Sequence, residues 1–226
     1  MSETIQRRIR SFVMRQGRIT SAQHDALERL WPHYGIERGD SVLDMNTLFP
    51  TQNPITLEVG FGNGSSLATM ASEYPERNFI GIEVHRPGVG NLLRLIEEHQ
   101  LSNVRVMDDD AVEILKHRVP NGCIDRFQLF FPDPWHKKKH RKRRIVQLEF
   151  TTLIAQKLVM EGIFHMATDW KDYARHMEKV MEAAPDFTSI SDTPFSPRPD
   201  YRPLTKFEDR GLKLGHGVWD LIYKKV

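Results

Sequence analysis

At 226 residues, with 39% hydrophobic and 27% charged side chains, the chain is long enough for one α/β domain with a full core and too short for two large ones. A net charge of +2 is too small to mark the whole molecule as a polyanion binder, and no run of about 18 apolar residues or apolar export signal argues for a membrane. The lone Cys123 cannot form an internal disulfide, which fits a cytoplasmic protein, and nothing beside it in a polar turn activates it as a nucleophile.

In chain order, residues 1–20 read as a basic arm carrying Arg7, Arg8, Arg10, Arg15 and Arg18, ahead of a single domain over 21–226. Thr20 and Gln23 form a capping box for a short helix through Leu27, Leu30 and Trp31, and 35–54 is irregular. Ile55-Thr56-Leu57-Glu58-Val59 then reads as a buried strand that runs into a turn with Gly60, Gly62 and Gly64 and hands over to a helix near 65–74. The dinucleotide spacing G-x-G-x-x-G is not met, because Ser65 stands where its third glycine belongs. Glu58 would repel a pyrophosphate but attract a cationic ligand. A strand, an acid and this glycine turn resemble the first motif of class I methyltransferases, whose donor, S-adenosylmethionine, carries a sulfonium and an ammonium group.

A second strand, 78–83, ends in Glu83, nineteen residues past Gly64, the spacing of a ribose-diol acceptor. A helix near 88–99 follows. The third strand, 103–107, ends in Asp108, Asp109 and Asp110 before Ala111, where one carboxylate accepts from the adenine amine and the others cap a helix over 111–117.

The fourth strand runs into Phe130-Phe131-Pro132-Asp133-Pro134-Trp135 and then an unbroken basic run, 136–144. Ligands of open parallel sheets bind beyond the carboxyl ends of the strands, so Asp133, Trp135 and this run share an edge with the glycine turn. Positive charge beside a methyl donor points to a polyanionic substrate. Arg143 and Arg144 serve equally well to open an amphipathic helix over 144–158, and Trp135 either stacks on a base or packs under the loop. His136 and His140 have metal-pair spacing, but the prolines and interleaved lysines predict an extended cationic loop that repels a divalent ion, so no metal is expected. A strand over 163–168 buries His165 as a satisfied core residue. A helix near 171–183, a proline-rich segment at 194–203 and a last strand over 218–223 complete the chain.

The 129–144 stretch, with Gly81-Ile82-Glu83-Val84-His85, Ala167-Thr168-Asp169-Trp170 and Thr205-Lys206-Phe207-Glu208-x-Arg210-Gly211, resembles the bacterial tRNA (guanine-N7-)-methyltransferase family from about residue 5 to the C-terminus. The resemblance implies a Rossmann-like class I methyltransferase fold, a mostly parallel α/β sheet with helices on both faces. It implies methyl transfer from S-adenosylmethionine to guanosine N7 of tRNA at position 46, in the variable loop. Donor contacts then fall to Glu58, Gly60, Gly62, Gly64, Glu83, Asp110, Ala111 and Asp133. Base, ribose or phosphate contacts fall to Lys137, Asp169, Thr205, Lys206, Phe207 and Glu208, with Asp169 and Glu208 as acceptors for the guanine edge. Lys138, Lys139, His140, Arg141, Lys142, Arg143 and Arg144 face RNA. Asp133, held by flanking prolines, is the catalytic candidate, stabilising the cation that appears on the purine. Two other classes stay open: an RNA-binding protein without activity, and a methyltransferase acting on a protein or small molecule. No oligomeric state is readable.

Overall fold

All five residues of β1 (Ile55–Val59) are buried, because it is an interior strand of a sheet whose two faces are covered by helices. The computed structural model describes residues 11–12, 17–205, 208 and 217–226. β2 (Asn78–Ile82) and β3 (Val104–Met107) lie on one side of β1, and β4 (Ile124–Phe130) and β5 (Leu158–Thr168) on the other, all parallel. β7 (Trp219–Lys225) joins β5 antiparallel, and β6 (Phe187–Ser189) closes the edge, giving the order β3-β2-β1-β4-β5-β7-β6. The chain reverses direction across the sheet between β1 and β4, which opens a crevice at their carboxyl ends.

Helices α1 (Ser21–Tyr34), α2 (Ser65–Glu73) and α3 (Arg86–Glu98) bury Leu27, Leu67, Leu92 and Ile96 against one face. On the other, α4 (Ala111–His117), α5 (Leu148–Lys157) and α6 (Lys171–Glu182) bury Leu115, Ile154, Tyr173 and Met177. The capping box of α1 forms as expected: Gln23 N donates to Thr20 Oγ1 at 3.3 Å, and Thr20 N to Gln23 Oε1 at 2.9 Å. No helix among the described residues is long and apolar enough to cross a membrane.

Three local expectations change. The basic run is not extended but winds into a 3-10 helix, Lys138–Arg143, and α5 starts only at Leu148. Tertiary bonds hold the intervening residues extended: Val146 N donates to Tyr173 Oη at 3.4 Å, and Val146 O meets His176 Nε2 at 2.8 Å. β5 begins five residues earlier than its alternation suggested, and the three-residue β6 is too short to show a pattern.

Candidate active site

The glycine turn works through its backbone. Gly60, Gly62 and Gly64 take φ of 73°, 61° and 78°, left-handed values that side chains disfavour. Gly64 ends the turn as the N-cap of α2, and a Cβ there would stand 2.7 Å from Leu92 Cβ. At Gly60 and Gly62 a Cβ would project into open space. Gly88, in the first turn of α3, lets that helix abut the turn, since a Cβ on it would overlap the Gly62 carbonyl oxygen.

Glu83 locks the turn to the end of β2. Its Oε2 accepts from Gly62 N at 2.9 Å, while Oε1 accepts from Val84 N and His85 N at 2.7 and 3.0 Å. Beneath, Glu58 is buried with Oε2 unpartnered among the described residues. Burial, and then the nearby Glu83 charge, push its carboxyl up to about 8. At the end of β3, Asp108 lies 3.5 Å from both Arg38 and Arg86. Asp109 Oδ1 accepts from Asp110 N at 2.7 Å, and Asp110 caps α4 by accepting from Val112 N at 3.0 Å.

Gly60, Glu83, Asp110, Ala111 and Asp133 line one cleft of about 220 Å³, with Ser11 and Phe12 across it. Glu58 sits below this lining, and Gly62 and Gly64 beside it. Asp133 is exposed between its two prolines, on a loop that starts with Phe131 at φ 50°, tied to Ala167 O at 2.8 Å, and turns again at Trp135, φ 45°.

The basic run divides. Lys137, Lys138, Lys139, Arg141 and Lys142 are exposed, and His140 is half-buried. Arg144 is 3% exposed, donating to Pro134 O at 2.9 Å and Asp172 Oδ2 at 2.5 Å; Arg141 donates to Asp172 Oδ1 at 3.0 Å. Trp135 is packed rather than free: Arg143 lies 3.9 Å over its ring, His140 stacks on it at 5.9 Å, and its Nε1 donates to Ser11 O at 3.0 Å. His136 instead packs edge-on against Trp170.

Asp169 is exposed just past β5, whereas Glu208 is buried and paired with Arg202, its N–H donated to Thr205 Oγ1 at 3.1 Å. Lys206, Phe207 and the arm arginines other than Arg18 lie outside the described residues. His165 is satisfied as expected, Nε2 against Asp220 Oδ1 at 2.7 Å and Nδ1 against Tyr201 Oη at 3.0 Å. Burial pushes the Cys123 thiol up to about 11, so it is no nucleophile. Asp172 and Arg202 had no local signal: each is a lone charge whose partner lies elsewhere in the chain.

A family model described as "Putative methyltransferase" matches residues 52–221. The tRNA (guanine-N(7)-)-methyltransferases of Hydrogenovibrio crunogenus and Aeromonas hydrophila are each 57% identical over 97% of this chain, spanning 92% and 93% of those proteins. Among solved structures, a 16S rRNA methyltransferase superposes with TM-score 0.57 at 14% identity, covering 94% of this chain and 96% of its own. An rRNA methylase from Streptococcus thermophilus gives 0.52 at 14% identity, covering 77% and 88%. These two share the fold of the chain described here.

Proposed function

The chain belongs to the tRNA (guanine-N7-)-methyltransferase family, and from that membership we propose that it is a cytoplasmic enzyme methylating N7 of a tRNA guanosine, at position 46 in the variable loop, with S-adenosylmethionine as donor. The observation that carries the reading is the convergence of Gly60, Glu83, Asp110 and Asp133 on one cleft beside an exposed run of lysines. The residues fit the donor: Glu58, buried and unpartnered at Oε2 among the described residues, suits its cationic methionine end once ionised, and Gly60 and Gly62 leave room for it above the turn. Glu83 takes the ribose diol, and Asp110 with Ala111 takes the adenine.

The bound donor supplies an electrophilic methyl group, whose bond to sulfur breaks, leaving its electron pair there, as the bond to N7 forms. Guanine N7 has an in-plane lone pair and no proton, so the protein needs no general base. Holding the reactants in line supplies up to ~7 to 11 kcal/mol. Asp133 faces the purine as it becomes cationic and stabilises that charge. Asp169, with Lys137 and Thr205, Lys206, Phe207 and Glu208, forms the substrate side. Arg144 holds the loop through Asp172, while the exposed cations and the basic arm meet the phosphates. Mass spectrometry of nucleosides from tRNA, rRNA and total protein incubated with labelled donor tests the reading: label in 7-methylguanosine of tRNA is expected, and label confined to rRNA or protein overturns it.

Two further outcomes are expected. Replacing Lys138, Lys139 and Lys142 by Ala flattens the slope of log tRNA affinity against log salt by ~0.7 to 0.9 for each phosphate no longer neutralised, with donor affinity unchanged; a parental slope would leave the run a solvated face. Gly88→Ala costs ~1 to 3 kcal/mol of stability by overpacking and, by pushing the Gly62 peptide out of place, lowers donor affinity as well. Calorimetric titration reads this, and parental affinity would show that the turn's exact seat does not matter to the donor.

A further inference from the structure

Of the four tryptophans, Trp31, Trp135 and Trp219 are half-buried, whereas Trp170 is 41% exposed. It is exposed without being loose. Its N–H donates to Thr168 Oγ1 at 3.2 Å, its carbonyl accepts from Tyr173 N and Ala174 N, both at 2.9 Å, as α6 begins, and His136 packs edge-on against its ring with the centroids 4.0 Å apart. A wide aromatic side chain already held by its own backbone and by a neighbouring ring gives up little side-chain entropy when a planar partner settles on it.

Its surroundings identify that partner. Trp170 directly follows exposed Asp169, and His136 stands three residues beyond Asp133, at most about 10 Å along the chain. Contact between the His136 and Trp170 rings therefore joins the Asp133 loop to the end of β5, and Asp172, two residues past Trp170, reinforces the joint through Arg141 and Arg144. Exposed Lys137 follows His136 and exposed Lys171 follows Trp170, so an open aromatic ring sits among cations, the combination that tracks an unstacked nucleic-acid strand. Trp170 does not line the donor cleft, which places it beside the reacting guanosine rather than against it. Bringing N7 to a methyl group in that cleft takes the target base out of its stack and leaves a neighbouring base with an open face.

We infer that Trp170 is a stacking platform for a tRNA base next to the methylated guanosine, and that it contributes affinity through ring contact and not through charge. The stacking role that the sequence left open for Trp135 falls to Trp170. The inference rests on the function proposed above and deepens it.

The test measures tRNA binding with S-adenosylhomocysteine in the donor site, so that no methyl group moves, for the parent, Trp170→Leu and Trp170→Phe. Each protein meets intact tRNA and two tRNAs with an abasic residue immediately before or immediately after the methylated guanosine. Trp170→Leu is expected to bind intact tRNA about 5- to 100-fold more weakly, the fold-change of one base stacked on an aromatic ring, with the parental slope of log affinity against log salt and unchanged donor affinity. Trp170→Phe keeps a ring and recovers most of that loss. The parent loses about as much on one of the two abasic tRNAs, and on that tRNA Trp170→Leu binds no worse than the parent, because the stack is already gone. Parental binding of intact tRNA by Trp170→Leu, a flattened salt slope, or losses from side chain and base that multiply on both abasic tRNAs would overturn the inference. Trp170→Gln, with a side chain suited to an exposed position, carries the same cycle where Trp170→Leu does not fold. A parent that transfers no methyl group to tRNA guanosine overturns the function instead, and shows it before any substitution is made.

Discussion

Asn in place of Asp133 is expected to lower the single-turnover methylation rate about a hundredfold or more, ~2.7 to 4 kcal/mol, with tRNA affinity within a few-fold of the parent. The substitution keeps the shape of the side chain and removes only its charge. That charge matters little to a neutral guanine and much to the cation that forms as the methyl group moves, so the loss falls on the transition state. The loop is built for such a role: prolines on both sides restrict its backbone, Phe131 N is tied to Ala167 O at 2.8 Å, and Pro134 O is held by buried Arg144 at 2.9 Å. At saturating donor and tRNA the parent rate should show no rise with pH from a base that deprotonates the acceptor, because N7 carries no proton. A variant with the parental single-turnover rate and weakened tRNA or donor binding would move Asp133 from catalysis to recognition.

Local signals carried most of the fold and part of the site. The glycine turn, the acid ending β2 and the capping box of α1 depend on neighbours in the chain, and each is found where its pattern placed it. What stayed hidden depends on distant partners. Arg144 looks like one more cation in a basic run until Asp172, 28 residues away, buries it in a loop-anchoring pair. Arg202 finds its buried partner only because β7 brings Asp220 beside it, 18 residues on. Trp135 was open to stacking or packing, and Arg143 and Ser11, reaching it from two directions, decide for packing. The helix expected from 144 starts only at Leu148 for the same reason: α6 offers Tyr173 and His176 to the backbone of Val146, and those bonds outweigh the amphipathic pattern there.

Glu58→Gln should make the protein more stable and less able to bind its donor, each by an amount that depends on pH. Among the described residues Glu58 Oε2 is buried without a partner, and so is Oε1 of Gln128, its register neighbour on β4, whose side chain shares the same face. An ionised Glu58 would therefore be a buried charge without a counterion or donor among the described residues, consistent with a carboxyl pushed from 4.5 up to about 8 by burial and then by Glu83. Below the unfolded value both states hold the proton and Glu58 costs nothing. Between 4.5 and about 8 the unfolded chain ionises while the native one does not, so the native state loses ground as pH rises, by a few kcal/mol in order of magnitude once pH passes the native value. Glutamine carries no such charge, so the gain of Glu58→Gln over the parent should grow from pH 5 to pH 8 and then level. Donor binding runs the other way. The cationic methionine end favours the ionised carboxylate, so its binding should expel the proton and strengthen as pH rises toward 8, whereas Glu58→Gln should bind weakly with a flatter profile. Thermal melts of both proteins across this range, with calorimetric donor titrations at each pH, measure the two effects together. Equal melting curves at pH 8, or a parental donor affinity that does not change between pH 6 and pH 8, would mean that Glu58 is already ionised in the free protein and that the turn holds its donor without it.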